Sequence, residues 1–166
     1  MSLEMLKDTL GLGARANKYR ISLNVADGQI EDVLCKATSL PDLTLGTVEV
    51  WNQGRKMFLA GETQFAGTWD VTFYNTSGLE LRSVFIAKIE TIDSYKTAQK
   101  SVSSNSEYMM DISVSQLDSL NNETAQYTLH NAFPTVISAV DLAADTADSV
   151  TEFTVTFAYS HWTQTK

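Results

Sequence analysis

No lysine or arginine occurs in residues 101–165. The same stretch carries eight acids: Glu107, Asp111, Asp118, Glu123, Asp141, Asp145, Asp148 and Glu152. The first hundred residues are nearly balanced, so this stretch carries almost all of the chain's net charge of −8. Such a field repels phosphate, which excludes ordinary nucleic-acid recognition. It does not exclude a surface that nucleic acid must pass without adhering. Cysteine is almost missing as well. Cys35 stands alone, so no intrachain disulfide can form, which fits folding in a reducing compartment. It is expected to be a buried structural thiol.

Other absences narrow the class further. Only 2 prolines and 8 glycines occur in 166 residues, which argues against a disordered or fibrous chain. No uncharged apolar run is long enough to span a bilayer, so no membrane insertion by the chain is expected. Glu4, Lys7 and Asp8 interrupt the first apolar positions, unlike a secretory signal. The two histidines, His130 and His161, lie far apart in sequence and lack metal-ligand spacing, even with Glu123 or Glu152 added. Gly11-Leu12-Gly13 reads as a turn, because no third glycine or βαβ unit follows it. The acids after Ser101 are dispersed, with no cleft signature for acid–base chemistry. Asn75-Thr76-Ser77 and Asn122-Glu123-Thr124 match glycosylation sequons, which mean little without a secretory signal. No catalytic residue, metal ligand or cofactor site emerges, and no enzyme is expected.

What is present is β-structure. Tyr19, Ile21, Leu23 and Val25 alternate with polar residues, as do Trp69, Val71 and Phe73. The same period of two marks Met110, Ile112 and Val114, and then Phe153, Val155, Phe157 and Tyr159. Tyr127, Leu129 and Asn131 lead into Phe133 in the same rhythm. A further strand is expected near residues 31–40. Residues 43–62 read as a long hairpin turning at Gln53-Gly54, where glycine can supply a positive φ. One helix is expected over 77–97, from Leu79, Arg82, Phe85, Ile86, Ile89 and Ile92, with Ser77 and Glu80 as a capping box. A second helix at 1–12 and a helical turn at 139–144 are weaker expectations, and 101–106 reads as a polar loop. The sum is a single mainly-β domain over residues 1–166. It is an antiparallel barrel or sandwich of about six to seven strands, with one packed helix and a protruding hairpin.

The order of motifs carries a resemblance. Cys35-Lys36-Ala37-Thr38-Ser39-Leu40-Pro41 precedes the hairpin, and Ala60-Gly61-Glu62 closes it. Trp69-Asp70-Val71-Thr72-Phe73-Tyr74-Asn75 and the helix come next. Asn131-Ala132-Phe133-Pro134, Phe153-Thr154-Val155-Thr156-Phe157-Ala158-Tyr159 and Trp162 follow. Over residues 18–162 this set resembles the tail tube proteins of contractile-tailed bacteriophages. Contractile bacteriocin tubes, the type VI secretion tube protein and tube initiators share the fold. The resemblance implies a structural subunit, made in the bacterial cytoplasm and ending in the virion. It implies hexameric rings stacked into a hollow tube inside a contractile sheath, with DNA passing along the bore. The implied partners are further copies of the chain, the sheath protein, a tape-measure protein and a baseplate tube initiator.

The same resemblance assigns ring stacking to the hairpin, here Trp51, Asn52, Gln53, Gly54, Arg55, Lys56, Met57, Phe58 and Leu59. Arg55 and Lys56 could meet acids of another subunit. Asp70, Glu107, Asp111 and Glu123 are the candidate acids of the bore, since they lie on or beside expected strands. The competing class is a β-sandwich carbohydrate-binding module, with Trp51, Trp69 and Trp162 as stacking faces, although Trp69 belongs to the apolar set of its strand and is expected in the core.

Overall fold

The computed structural model describes residues 4, 14–25, 28–31, 34–95, 97, 102, 104, 107–143 and 149–165. The ten strands in it are β1 (Tyr19–Val25), β2 (Gly28–Glu31), β3 (Cys35–Thr38), β4 (Thr44–Asn52) and β5 (Arg55–Gln64), followed by β6 (Thr68–Tyr74), β7 (Met110–Leu117), β8 (Glu123–Ile137), β9 (Glu152–Ala158) and β10 (His161–Gln164). One helix, α1 (Glu80–Ile92), lies between β6 and β7. Eight strands form one antiparallel sheet in the order β2-β1-β7-β8-β9-β6-β3, with β10 also on β8, while β4 and β5 form a separate ribbon. The mainly-β class with one helix and a long hairpin stands. The strand number is higher than expected because β2, β3 and β10 have only four residues each, too few for alternation to show. The strand expected near 31–40 is β3, confined to Cys35–Thr38, and β2 ends at Glu31.

β8 holds the sheet together. Its first part pairs with β7 and β10, and its last part pairs with β9. The change of partner coincides with Asn131, whose φ of 57° is tolerable for asparagine. The Asp111 carboxylate accepts a hydrogen bond from the Asn131 N–H at 3.3 Å. The register shifts there, so Asn131 is exposed while Ala132 and Pro134 are buried. The expected alternation through Asn131 to Phe133 is therefore broken by a bulge.

Both halves of the sheet bury their inner faces in one core. Ile21, Leu23, Ile112, Val114 and Leu129 come from one half, and Trp69, Val71, Phe73, Phe153, Val155 and Phe157 from the other. Helix α1 closes this core with Leu81 and Phe85. The Phe85 ring lies 5.6 Å from Phe73, 5.8 Å from Phe157 and 6.4 Å from Phe153, in tilted and edge-on geometries. Aromatic pairs favour such arrangements over flat stacking.

The helix is shorter than predicted, and its cap differs. Thr76, Ser77 and Gly78 form a turn closed by Leu79 N–H donating to Thr76 O at 3.0 Å. Leu79 then occupies the cap position at φ 51° with no side-chain bond, so Ser77 does not cap. Phe85 is buried as expected and Arg82, Ile86, Ile89 and Ile92 are half-buried, while Leu79 is exposed and Leu81 is buried in its place. Residues 139–143 are not helical. The expected helix at 1–12 (Glu4 aside), the glycine turn at 11–13 and the loop at 101–106 (Val102 and Ser104 aside) lie outside the described residues.

Candidate functional site

The hairpin is built by local chemistry. Asn52 pairs with Arg55 across a two-residue turn in which Gln53 and Gly54 both take positive φ, 49° and 77°. Two such residues match the twist of antiparallel strands, and glycine adopts the conformation without a Cβ penalty. Near the base, a Cβ on Gly61 would sit 2.9 Å from the Gly46 carbonyl carbon and oxygen. The register shifts between Leu45 and Thr47 at this crossing, so two glycines let the strands approach closely.

Register divides the ribbon into two faces. Val48 opposes Leu59, Val50 opposes Met57 and Asn52 opposes Arg55 on one face. Glu49 opposes Phe58 and Trp51 opposes Lys56 on the other. The second face is tied together by Lys56. Its ammonium lies 2.5 Å from Glu49, 5.7 Å from the Trp51 ring centroid and 4.9 Å from that of Phe58. The first face is aliphatic and ends in the Arg55 guanidinium, which has no ion-pair partner among the described residues. Both faces are open: Trp51 is 66% exposed, Phe58 61%, and Val48, Met57 and Leu59 about half. The strands pack chiefly on each other. The ribbon thus carries large exposed apolar side chains on both faces.

Three aromatics hold the base of the hairpin. Trp69 Nε1 donates to Ser39 O at 2.7 Å, and Trp162 Nε1 donates to Asp42 O at 2.8 Å. Phe65, just after β5, meets Trp162 edge-on at 6.2 Å. The incoming and outgoing legs are therefore held by one indole. A cavity of about 370 Å³, lined in part by Asp42, Ala66 and Trp69, lies beneath them. Burial pushes the Tyr159 phenol up from its ordinary pKa, and the Asp42 carboxylate adds to the shift. This anchorage was not visible in the sequence, because its pairs are 30 to 120 residues apart.

The candidate bore acids do not converge. Asp70 on β6 accepts from Thr156 Oγ1 at 2.5 Å on the outward face of one half of the sheet. Asp111 on β7 sits on the outward face of the other half, 3.2 Å from His130 Nδ1. Glu123 stands beside a register shift at the start of β8, 3.8 Å from Arg20. Glu107 is exposed ahead of β7. The two histidines, distant in sequence, stack at 4.8 Å because β10 pairs with β8 in the register His161 to His130. No three potential metal ligands cluster among the described residues. Cys35 is half-buried against the core rather than fully buried. Trp69 is buried, which removes it from any sugar-binding face.

The structure is thus a two-part sheet around one core, with one helix over it and a separate two-stranded ribbon. The chain aligns with TM-score 0.68 and 17% identity to a subunit of the sheath–tube complex of PVC, an extracellular contractile injection system, covering 99% of this chain and 97% of that one. A chain in the sheath/tube terminator of PVC aligns with TM-score 0.68 and 16% identity, over 92% and 96%. One in the anti-feeding prophage baseplate aligns with TM-score 0.65 and 14% identity, over 91% and 94%. At these identities the likeness is one of fold. No curated protein sequence matches the chain. A family profile described as phage tail tube protein matches residues 5–165. The chain belongs to the phage tail tube protein family.

Proposed function

We propose that the protein is the repeating, non-enzymatic subunit of a phage tail tube, part of the virion. Copies close side by side into rings, six to a ring, and the rings stack head to tail. The observation that carries this reading is the hairpin, apolar on one face, aromatic and cationic on the other, and open on both. A heterologous contact that does not close by rotation propagates into a filament. Ring closure would also cover the open edges at β2 and β3, which otherwise present unpaired backbone groups. The sheath protein surrounds the tube, a tape-measure protein occupies it during assembly, and a baseplate initiator starts it. DNA then passes through the bore when the sheath contracts.

Asp70, Glu107, Asp111 and Glu123 are the acids proposed to keep DNA from adhering to the bore. At physiological salt the screening length is about 8 Å, so they act on DNA near the wall. Asp70 and Asp111 face outward from different halves, so the bore takes one of them more directly than the other. A second reading, the tube of a contractile injection device without DNA, is favoured by the fold likeness to PVC subunits.

The test is negative-stain electron microscopy of the purified chain at rising concentration, with and without tail baseplates. Stacked rings with an open bore are expected. A chain that stays monomeric even on baseplates would return the carbohydrate-binding reading to the front.

A further inference from the structure

The hairpin and a groove on the same chain lie at opposite ends of one ladder. The hairpin springs from residues 39–42 and 65–67, beside Thr68 at the start of β6 and Ala158 at the end of β9. At the other end of that ladder, Tyr74 pairs with Glu152. A seven-residue strand spans about 20 Å, so the two ends are separated by that distance. The far end opens into a groove of about 760 Å³ whose lining includes Ala139, Asp141, Leu142, Val150, Glu152 and Lys36. Leu142 and Val150 are 84% and 64% exposed, and they give an otherwise polar wall two large apolar side chains. Lys36 and Glu152 neutralise each other across it, while Asp141 has no ion-pair partner among the described residues.

The two surfaces are complementary. The aliphatic hairpin face presents Val48, Val50, Met57 and Leu59 and ends in Arg55, which has no ion-pair partner among the described residues. The groove presents Leu142 and Val150 beside the unpaired Asp141. We infer that the groove at the Tyr74–Glu152 end receives the aliphatic face of the hairpin from a second copy of this chain, with Arg55 meeting Asp141. The inference rests on the tube reading and adds the surface that the hairpin grips. Because donor and acceptor sit at opposite ends, each copy gives a hairpin to one neighbour and takes one from the next. The contact therefore propagates along an axis instead of closing a dimer. Opposite charges at the tip set register, and like charges there oppose docking.

The experiment is charge exchange in the full chain, read as mean tube length by negative-stain microscopy. Arg55→Glu and Asp141→Arg should each shorten tubes at least about tenfold, and the double variant should restore them to within about twofold. Tubes of normal length from Asp141→Arg, with Arg55→Glu still blocked, would overturn the groove while leaving the hairpin reading in place. A double variant as defective as either single one would overturn it equally. Failure of the unaltered chain to form tubes on baseplates would remove the tube reading, and the groove with it. Both positions are exposed, and circular dichroism of the single variants should match that of the unaltered chain.

Discussion

The β6–β9 ladder and the β4–β5 ribbon use the same side-chain chemistry for opposite ends. Trp69 is 3% exposed and Trp51 66%; Phe157 is fully buried and Phe58 61% exposed. The ladder has a second sheet half and a helix to close over its apolar face. The ribbon has only itself. Apolar burial within one chain stabilises the fold, whereas the same residues left uncovered keep their driving force for association. Stability and assembly should therefore be separable by mutation.

The sharpest break of this contrast is Phe85→Ala. Removing a ring that touches Phe73, Phe153 and Phe157 should cost about 3–5 kcal/mol, seen as a large fall in the denaturation midpoint. Tubes should be lost with the fold. Trp51→Ala together with Phe58→Ala is the opposite case. Stability should change by no more than about 0.5 kcal/mol, as for exposed sites, while tube growth stops. Normal tubes from that variant would remove the hairpin from the stacking argument.

Trp162→Phe lies between the two regions. It keeps a ring against Phe65 and deletes the bond to Asp42 O, a loss of about 0.5–1.5 kcal/mol. Amide exchange should quicken in β4 and β5 and stay unchanged in β6 and β9. An unchanged ribbon would mean that the base does not hold it.

The smallest effect concerns the turn between β7 and β8. Asp118 Oδ1 accepts from the N–H groups of Leu120 at 2.7 Å and Asn122 at 2.9 Å. These bonds, with that from the Asn122 N–H foremost, hold the Asp118 carboxyl below its usual value of 3.8. A depressed folded value stabilises above the unfolded pKa, and that contribution is lost as the pH falls below 3.8 through the folded value. Asp118→Asn should flatten this acid-side loss in thermal melts while leaving the β6–β9 core untouched.

Much of this was legible from residue order. Period-two alternation located β1, β6, β7 and β9, because each has one face in the core and one in solvent. The hairpin was legible because its turn is local: Gln53-Gly54 sits between two β-prone runs. Helix α1 was legible in place and in most of its buried stripe, Phe85 above all, but its start was not, since a turn at 76–79 leaves Leu79 exposed and Leu81 buried. The bend of β8 at Asn131 was missed, because alternation continues in the sequence while the backbone inserts a bulge.

The sequence by itself determined the class of the fold, the hairpin and its apolar content, and the acidic stretch 101–165 that holds no lysine or arginine. Those depend on local periodicity, turn chemistry and composition. Only the tertiary structure decided that Trp51 stays 66% exposed, and that Trp162 holds the hairpin base. It also decided that the hairpin and the Leu142–Val150 groove stand at opposite ends of one ladder. These relations depend on strand pairing between residues far apart in the chain, and pairing partners leave no mark in the spacing of any one segment.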